Sequence, residues 1–425
     1  MRILFLSNYY PPFEVGGYEQ LCRSVAERLA QRGHDTAVLT SNHGLGGKHN
    51  DGVVDGAYRV LITQPDYNRR LNASWQFFLT RHSVDRLNRR WLRQVVDWVQ
   101  PDVIFIWNLQ GLTRWLALDA EALANVSVAY WLAGYSPAET DEFWHYWSLR
   151  PKLRSHLGWI KNGMRRAAFV MMRREGQPLQ PAMRHVAVVS HFMRNKGIAE
   201  GTLPHSTRVI YNGVEVEQFF HPVGARGCTP LRLLLAGRIG DDKGTHTAVE
   251  AIGRLVNDHD QRNIHLMIAG SGRSAYLDYL SEMIQRFGLH DQITMTGWVP
   301  RTQLPAIMAE SHVLLLPTII DEAFSRVVLE AMAAGLAVIA SDTGGTSEIV
   351  QHDRTGLLFP AGDSHLLASQ IIRLLHDEDL RQQLSRAGQE VVRHQFSLDR
   401  MVDEVEDFLM EAVASRNSSA SAAAI

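Results

Sequence analysis

Along most of this chain short apolar runs alternate with stretches whose apolar residues recur every three or four positions. RILFLS, near the N-terminus, is a run of strand length, and the Pro- and Gly-rich loop NYYPPFEVGG follows it. In YEQLCRSVAERLAQRG the residues Leu21, Val25 and Leu29 share one helical face, and Gly33 stops the pattern. DTAVLTS is the next strand, so the first 41 residues predict a β-α-β unit with a glycine-containing loop leading into its helix. PDVIFIWN, VSVAYWL and HVAVVS continue the series as short β-branched runs separated by helical segments, the pattern of buried parallel strands.

The second half repeats this plan. LRLLLAGR, IHLMIAGSG, QITMTGWV, SHVLLLPT and LAVIAS predict strands, with helices at about 245–256 and 275–287 and from Ser325 onward. Between the halves QFFHPVGARGCTP concentrates Pro and Gly. We therefore expect an α/β protein of two doubly wound, Rossmann-like domains, 1–217 and 231–397, joined by a linker at 218–230. A chain of 425 residues is long for one hydrophobic core, which agrees. Two sheets facing one another would form a cleft at the carboxyl ends of their strands, where such folds bind ligands.

Composition narrows the class. With 45% apolar and 21% charged residues the chain is globular, and only the tail at 416–425 reads as disordered. The apolar run at the start is too short for a signal-peptide core, and nothing later has the length of a membrane span. Two distant cysteines, Cys22 and Cys228, argue against a disulfide framework and fit a reducing cytoplasm. Residues 1–218 carry 26 Lys+Arg against 19 Asp+Glu, while the rest carries 17 against 26, so a basic half precedes an acidic one. Different partners for the halves follow, with no nucleic acid among them.

The chemistry concentrates at strand ends in the second half. Arg238 and Lys243 in GRIGDDKG place two cations among glycines after a strand, as a diphosphate requires; a solvated turn fits as well. AGSG, with Gly270, and DTGGTSEIV, with Gly344 and Gly345, add two more glycine turns at the same edge. In DEAFSRVVLEAMAAG, Glu322 belongs to a loop and Ser325 is placed to cap the following helix. Glu330 lies a turn and a half into that helix among apolar neighbours, where an ionised carboxylate needs a partner. Vicinal hydroxyls of a ribose or hexose would suit these acceptors. In the first half Gly16 and Gly17 precede the first helix and let backbone approach a phosphate or substrate hydroxyl, or simply form a turn.

GGYE, YNGVE, GRIGDDKGT, AGSG, TGWV and the long DEAFS…SEIV stretch together resemble the large retaining glycosyltransferase family 4, of GT-B fold. The likeness runs from residue 1 to about 410. It implies a C-terminal domain that binds a nucleoside diphosphate sugar and an N-terminal domain for a glycan or lipid-linked acceptor. It also implies that a last helix, 398–415, crosses back to the first domain. By match to the family's motifs, Arg238, Lys243, Ser325, Arg326 and Gly17 meet the donor diphosphate, Glu322 the transferred sugar and Glu330 the ribose. Gly16, Gly270, Gly344 and Gly345 form donor or acceptor loops. No metal or other cofactor is expected.

One departure matters. Many members carry a His, often His-Asp, after the strand resembling VSVAYWL, and here Ala133 and Gly134 stand there. Tyr135, Glu139, Asp141 and His145 are nearby candidates to replace it, and Trp144, Tyr146 and Trp147 fit either a stacking platform or a core. The departure keeps a catalytically silent nucleotide-sugar binder as the alternative function; a dinucleotide oxidoreductase is disfavoured, because no strand-linked GxGxxG with a later acidic residue occurs. Residues 151–176 hold seven Lys+Arg, one acidic residue and interleaved Leu, Trp, Ile, Met and Phe. Such a segment suits an anionic membrane at the inner face, a lining of the acceptor groove, or a solvated cap.

Overall fold

The computed structural model describes residues 1–13, 16–45, 53–54, 56–64, 70–134, 142–148, 158–175, 180–224 and 229–423. It contains two compact units. One comprises Met1–Val188, Arg194–Val209 and the stretch from Val402; the other comprises Val189–Met193 and Ile210–Met401.

In the first unit β1 (Arg2–Ser7), β2 (Asp35–Ser41), β3 (Val53–Val54), β4 (Ala57–Leu61), β5 (Val103–Asn108), β6 (Ser127–Leu132), β7 (His185–Val188) and β8 (Arg208–Val209) form a sheet in the order β3-β4-β2-β1-β5-β6-β7-β8. All neighbours run parallel except β3 against β4. Ile3 to Leu6 and Val103 to Trp107 are wholly buried, which is why these strands read as unbroken apolar runs.

The second unit has a six-stranded parallel sheet in the order β11-β10-β9-β12-β13-β14, made of β9 (Leu231–Ala236), β10 (Ile264–Ala269), β11 (Ile293–Gly297), β12 (Val313–Leu316), β13 (Ala337–Ser341) and β14 (Leu357–Phe359). Leu231, Leu233 and Leu235 face a core with Val249, Ile252 and Leu280 of the covering helices Thr245–Asn257 and Ser274–Phe287. Strand order reverses between β9 and β12, and ligands bind beyond the carboxyl ends of strands at such a switch point.

Two boundaries differ from the sequence reading. The chain enters the second unit at Ile210, ahead of 218–230, because Val216–Phe219 is already helical there with Val216 and Phe219 buried. The last helix, Leu398–Ala423, runs on through 416–423, where disorder is expected, since neither Gly nor Pro stops it. Its first turn lies in the second unit, and from Val402 it belongs to the first. There Glu406 accepts from His34 Nε2 at 2.7 Å and pairs with Arg32 at 2.6 Å.

Candidate active site

At the switch point the exits of β9, β12 and β13 are fastened to one another by their backbones. The Ile319 amide donates to the Asp242 carbonyl at 3.0 Å, and the Thr318 hydroxyl donates to the same oxygen at 3.3 Å. Gly244 makes that approach possible: with φ +64° it sits so close that a Cβ would stand 1.8 Å from the Pro317 carbonyl oxygen. The β9 loop is therefore seated on the β12 exit. Lys243 Nζ consequently meets Glu322 Oε2 at 2.5 Å.

The third loop fixes Glu322 from the other side. The Gly345 amide donates to the Glu322 carbonyl at 2.7 Å. A Cβ on Gly344, whose φ is +55°, would lie 2.2 Å from that carbonyl oxygen and 2.6 Å from the Glu322 nitrogen. Gly344 and Gly345 thus shape the backbone of the acidic residue. Gly270 acts similarly in the loop after β10: its missing Cβ would be 1.8 Å from the Gly237 carbonyl oxygen, and Gly237 and Ile239 donate to Ala269 and Ser271 at 3.0 and 2.8 Å. The AGSG turn braces the loop that carries Arg238.

Arg238 itself is largely exposed and pairs with Asp242, Nη1 to Oδ1 at 3.0 Å. These hydrogen bonds hold the Asp242 carboxyl below the usual carboxylate range against an opposing effect of burial. Each proposed diphosphate cation therefore has an internal carboxylate partner, Asp242 for Arg238 and Glu322 for Lys243.

Glu330 is buried on the helix Arg326–Ala333, and the partner it needs comes from elsewhere in the sequence. Its Oε1 accepts from the guanidinium of Arg301, in the turn after β11, and Arg326 Nη2 lies 3.6 Å from the same oxygen. A buried carboxylate with no counter-charge would cost several kcal/mol, roughly 3–5 when one partner of a pair is removed. Arg301 escaped sequence reasoning because VPRTQ reads as an ordinary polar turn. The available signal was a cation at a strand's carboxyl edge in a sheet whose buried Glu lacked a local partner.

Ser325 occupies the N-cap position with φ −77° and ψ 112°, but its side chain makes no capping hydrogen bond. The expected cap is thus present in position only. Its extended backbone starts the helix, and the first-turn amides keep no side-chain acceptor from it. The preceding Phe324 is held by Asn212, whose amide donates to its carbonyl at 3.1 Å, and by the Tyr211 ring stacked at 5.0 Å. This accounts for the YNG stretch in structural terms.

In the first unit Gly16 precedes the helix Gly17–Gln31, and its amide donates to Glu19 Oε2 at 2.9 Å. Tyr18 stacks on Trp131 with ring centroids 5.3 Å apart, and its hydroxyl lies 2.9 Å from the Trp107 carbonyl and 3.2 Å from that of Trp131. Burial pushes the Tyr18 phenol well above its ordinary value, so it acts there as a donor. Tyr135, Glu139, Asp141 and the side chain of His145 lie outside the described residues, as do 151–157. Tyr146 and Trp147 are buried with Phe77 and Phe143, a core rather than a platform.

Comparison with known proteins gives the family. Residues 15–218 match the family described as Glycosyltransferase Family 4, and residues 218–391 match Glycosyl transferases group 1. The chain belongs to this family of glycosyltransferases and has the GT-B fold. Over 422 residues it is 26% identical to the GDP-mannose-dependent alpha-(1-6)-phosphatidylinositol monomannoside mannosyltransferase of Mycobacterium tuberculosis, covering 96% of this chain and 98% of that one. Among solved structures, sucrose-phosphate synthase of Thermosynechococcus elongatus aligns with a TM-score of 0.74 at 19% identity, over 97% of this chain and 99% of the other. Anabaena HepE in complex with UDP-glucose aligns at 0.68 and 18% identity, over 96% and 99%. The protein is a glycosyltransferase.

Proposed function

We propose that the protein transfers a sugar, with retention of anomeric configuration, from a nucleoside diphosphate sugar to a hydroxyl of a glycan or lipid-linked acceptor. The observation that carries this reading is the Lys243–Glu322 pair at the switch point. Paired in this way, the two side chains neutralise each other. A donor exchanges that pair for two contacts of its own: its diphosphate takes the Lys243 ammonium, and the transferred sugar's hydroxyls take the Glu322 carboxylate.

Arg238 and the first-turn amides of Arg326–Ala333 add positive potential where negative charge develops on the leaving diphosphate. This supplies by protein groups what a metal would otherwise provide. Glu330 keeps Oε1 on Arg301 and offers Oε2 to the ribose diol. As the C1–O bond to the diphosphate breaks, the acceptor hydroxyl attacks the same face and passes its proton to the departing phosphate oxygen. The GDP-mannose dependence of the mycobacterial relative and the UDP-glucose bound to HepE support a nucleotide-sugar donor.

A silent sugar-nucleotide binder is the second reading, favoured by Ala133 and Gly134, which put no titratable side chain at the end of β6. A panel of nucleotide sugars, followed by calorimetry and by release of nucleoside diphosphate, separates the two. Transfer or slow hydrolysis with one donor is expected, and Glu330→Ala should weaken binding of that donor at least about tenfold, the loss of a charge-assisted hydrogen bond pair. Binding without turnover by any donor would select the silent binder; an unchanged affinity in Glu330→Ala would remove the site.

A further inference from the structure

Away from its sheet, the first unit carries a small helical lobe with a core of its own. Ala73 and Phe77, from the helix Arg70–Trp75 and the π-helical turn Gln76–Thr80, pack with Phe143, Trp147, Ala168 and Met172 from the helices Glu142–Ser148 and Gly158–Arg174. Its outer surface is unusual for a solvated face. Trp159 is 76% exposed and Val170 49%, on the same helix; Leu79 is 67% and Trp75 62% exposed on the neighbouring segment.

The charges follow the same division. Gly158–Arg174 holds five cations and no carboxylate. Two are used within the lobe: Arg165 donates to the Trp147 carbonyl at 2.6 Å, and Lys161 lies 5.1 Å from the Tyr146 ring centre. The other three, Arg166, Arg173 and Arg174, are exposed and have no carboxylate partner among the described residues. At 100° per residue Trp159, Arg166, Val170, Arg173 and Arg174 form one stripe opposite buried Ala168 and Met172. The nearest acid in sequence, Glu175, is occupied by Arg81 and lies 3.4 Å from His82 Nε2.

We propose that this lobe docks on an anionic lipid bilayer through the outer face of Gly158–Arg174, with Trp159 and Val170 entering the headgroup boundary and Arg166, Arg173 and Arg174 meeting lipid phosphates. Scattered single apolar residues on a surface are ordinary. Here an aromatic and a branched side chain interleave with arginines that have no carboxylate partner among the described residues, along one helix that itself lacks any carboxylate. That combination gives an apolar gain at the interface together with attraction to negative headgroups. A protein partner would be expected to supply carboxylates for the arginines and a dry pocket for Trp159; a bilayer needs neither. The proposal stands independently of the sugar-transfer reading.

Sedimentation of the full chain with phosphatidylcholine vesicles, with and without phosphatidylglycerol, tests it. Binding should require the anionic lipid and weaken as salt rises. Neutralising Arg166, Arg173 and Arg174 together to Gln should lower affinity about hundredfold, at about fivefold for each arginine near the surface. Trp159→Ser should weaken binding at fixed charge, whereas Trp298→Ser, an equally exposed tryptophan of the second unit, should not. Circular dichroism verifies that each variant is folded. No binding to anionic vesicles at low salt, equal loss in Trp298→Ser, or a wild-type dimer that Trp159→Ser converts to monomer would each overturn the proposal, the last by making the stripe a contact between copies.

Discussion

The two parallel sheets are built on one plan, yet their strand ends are finished differently. In the second unit the edge is made of glycine loops whose backbones touch: Gly244 against Pro317, Gly270 against Gly237, Gly344 against Glu322. In the first it is closed by rings, Tyr18 on Trp131 and Trp107 beside both, with the one hydroxyl turned to main-chain carbonyls. Backbone contact leaves a charged side chain little freedom, whereas the rings of Trp107 and Trp131 are wholly buried and present no charged group. The difference explains why a charged constellation can be assigned in one unit and only a shape in the other.

Breaking the backbone-held edge should therefore cost most. In the transfer proposed above Lys243 faces the leaving group, so Lys243→Ala should lower kcat by about a hundredfold or more, the magnitude seen when one preorganised stabiliser is deleted. Steady-state turnover with the donor found in the panel measures it; a loss under about threefold would show that Lys243 does not face developing charge. Glu322→Gln keeps the volume but not the charge, and should reduce turnover more than it reduces donor affinity. Parallel calorimetry and kinetics decide, since an equal loss in both would make Glu322 a binding group only.

The contact itself can be tested at smaller cost. Gly344→Ala and Gly362→Ala both impose a side chain on positive φ, +55° and +77°, but nothing lies within 4 Å of the Cβ position at Gly362. Each should destabilise by about 1 kcal/mol from backbone strain. Only Gly344→Ala should also lose activity, because its Cβ displaces the backbone of Glu322. Similar activity in the two would detach the third loop from the site.

The smallest effect concerns the last helix. Hydrogen bonds from His34 first and Arg32 second hold the Glu406 carboxyl below its ordinary value, so the pairing stabilises above about pH 4.3, the usual glutamate value, and is lost as pH falls through the lower folded value. Hydrogen exchange across residues 402–412 should accelerate in acid in the wild type, and Glu406→Gln should flatten that acid dependence.

Much of this was legible in the sequence for a physical reason. Parallel strands buried on both faces appear as apolar runs, and a carboxylate among apolar helix residues demands an explanation, so the sheets, Glu322, Glu330 and Lys243 were all visible. Arg301 was not, because its role depends on a contact across 29 residues that no local pattern encodes. The glycines carry a second role that the sequence did not show: Gly270, Gly344 and Gly345 read as loops for a ligand, and each also lets neighbouring backbone come close where a Cβ would collide. Ser325 had the right residue type for a cap without the hydrogen bond. The aromatic cluster at 144–147 could not be decided by spacing, since a core and a stacking platform use the same residues.

The Gly344 contact has a consequence for anyone redesigning this enzyme. Because the stretches 237–244, 317–325 and 342–346 meet through main-chain atoms, they form one inseparable cassette. A transplanted donor preference should survive only when all three are moved together, and a graft of the acidic loop alone should arrive with its carboxylate aimed at the wrong place.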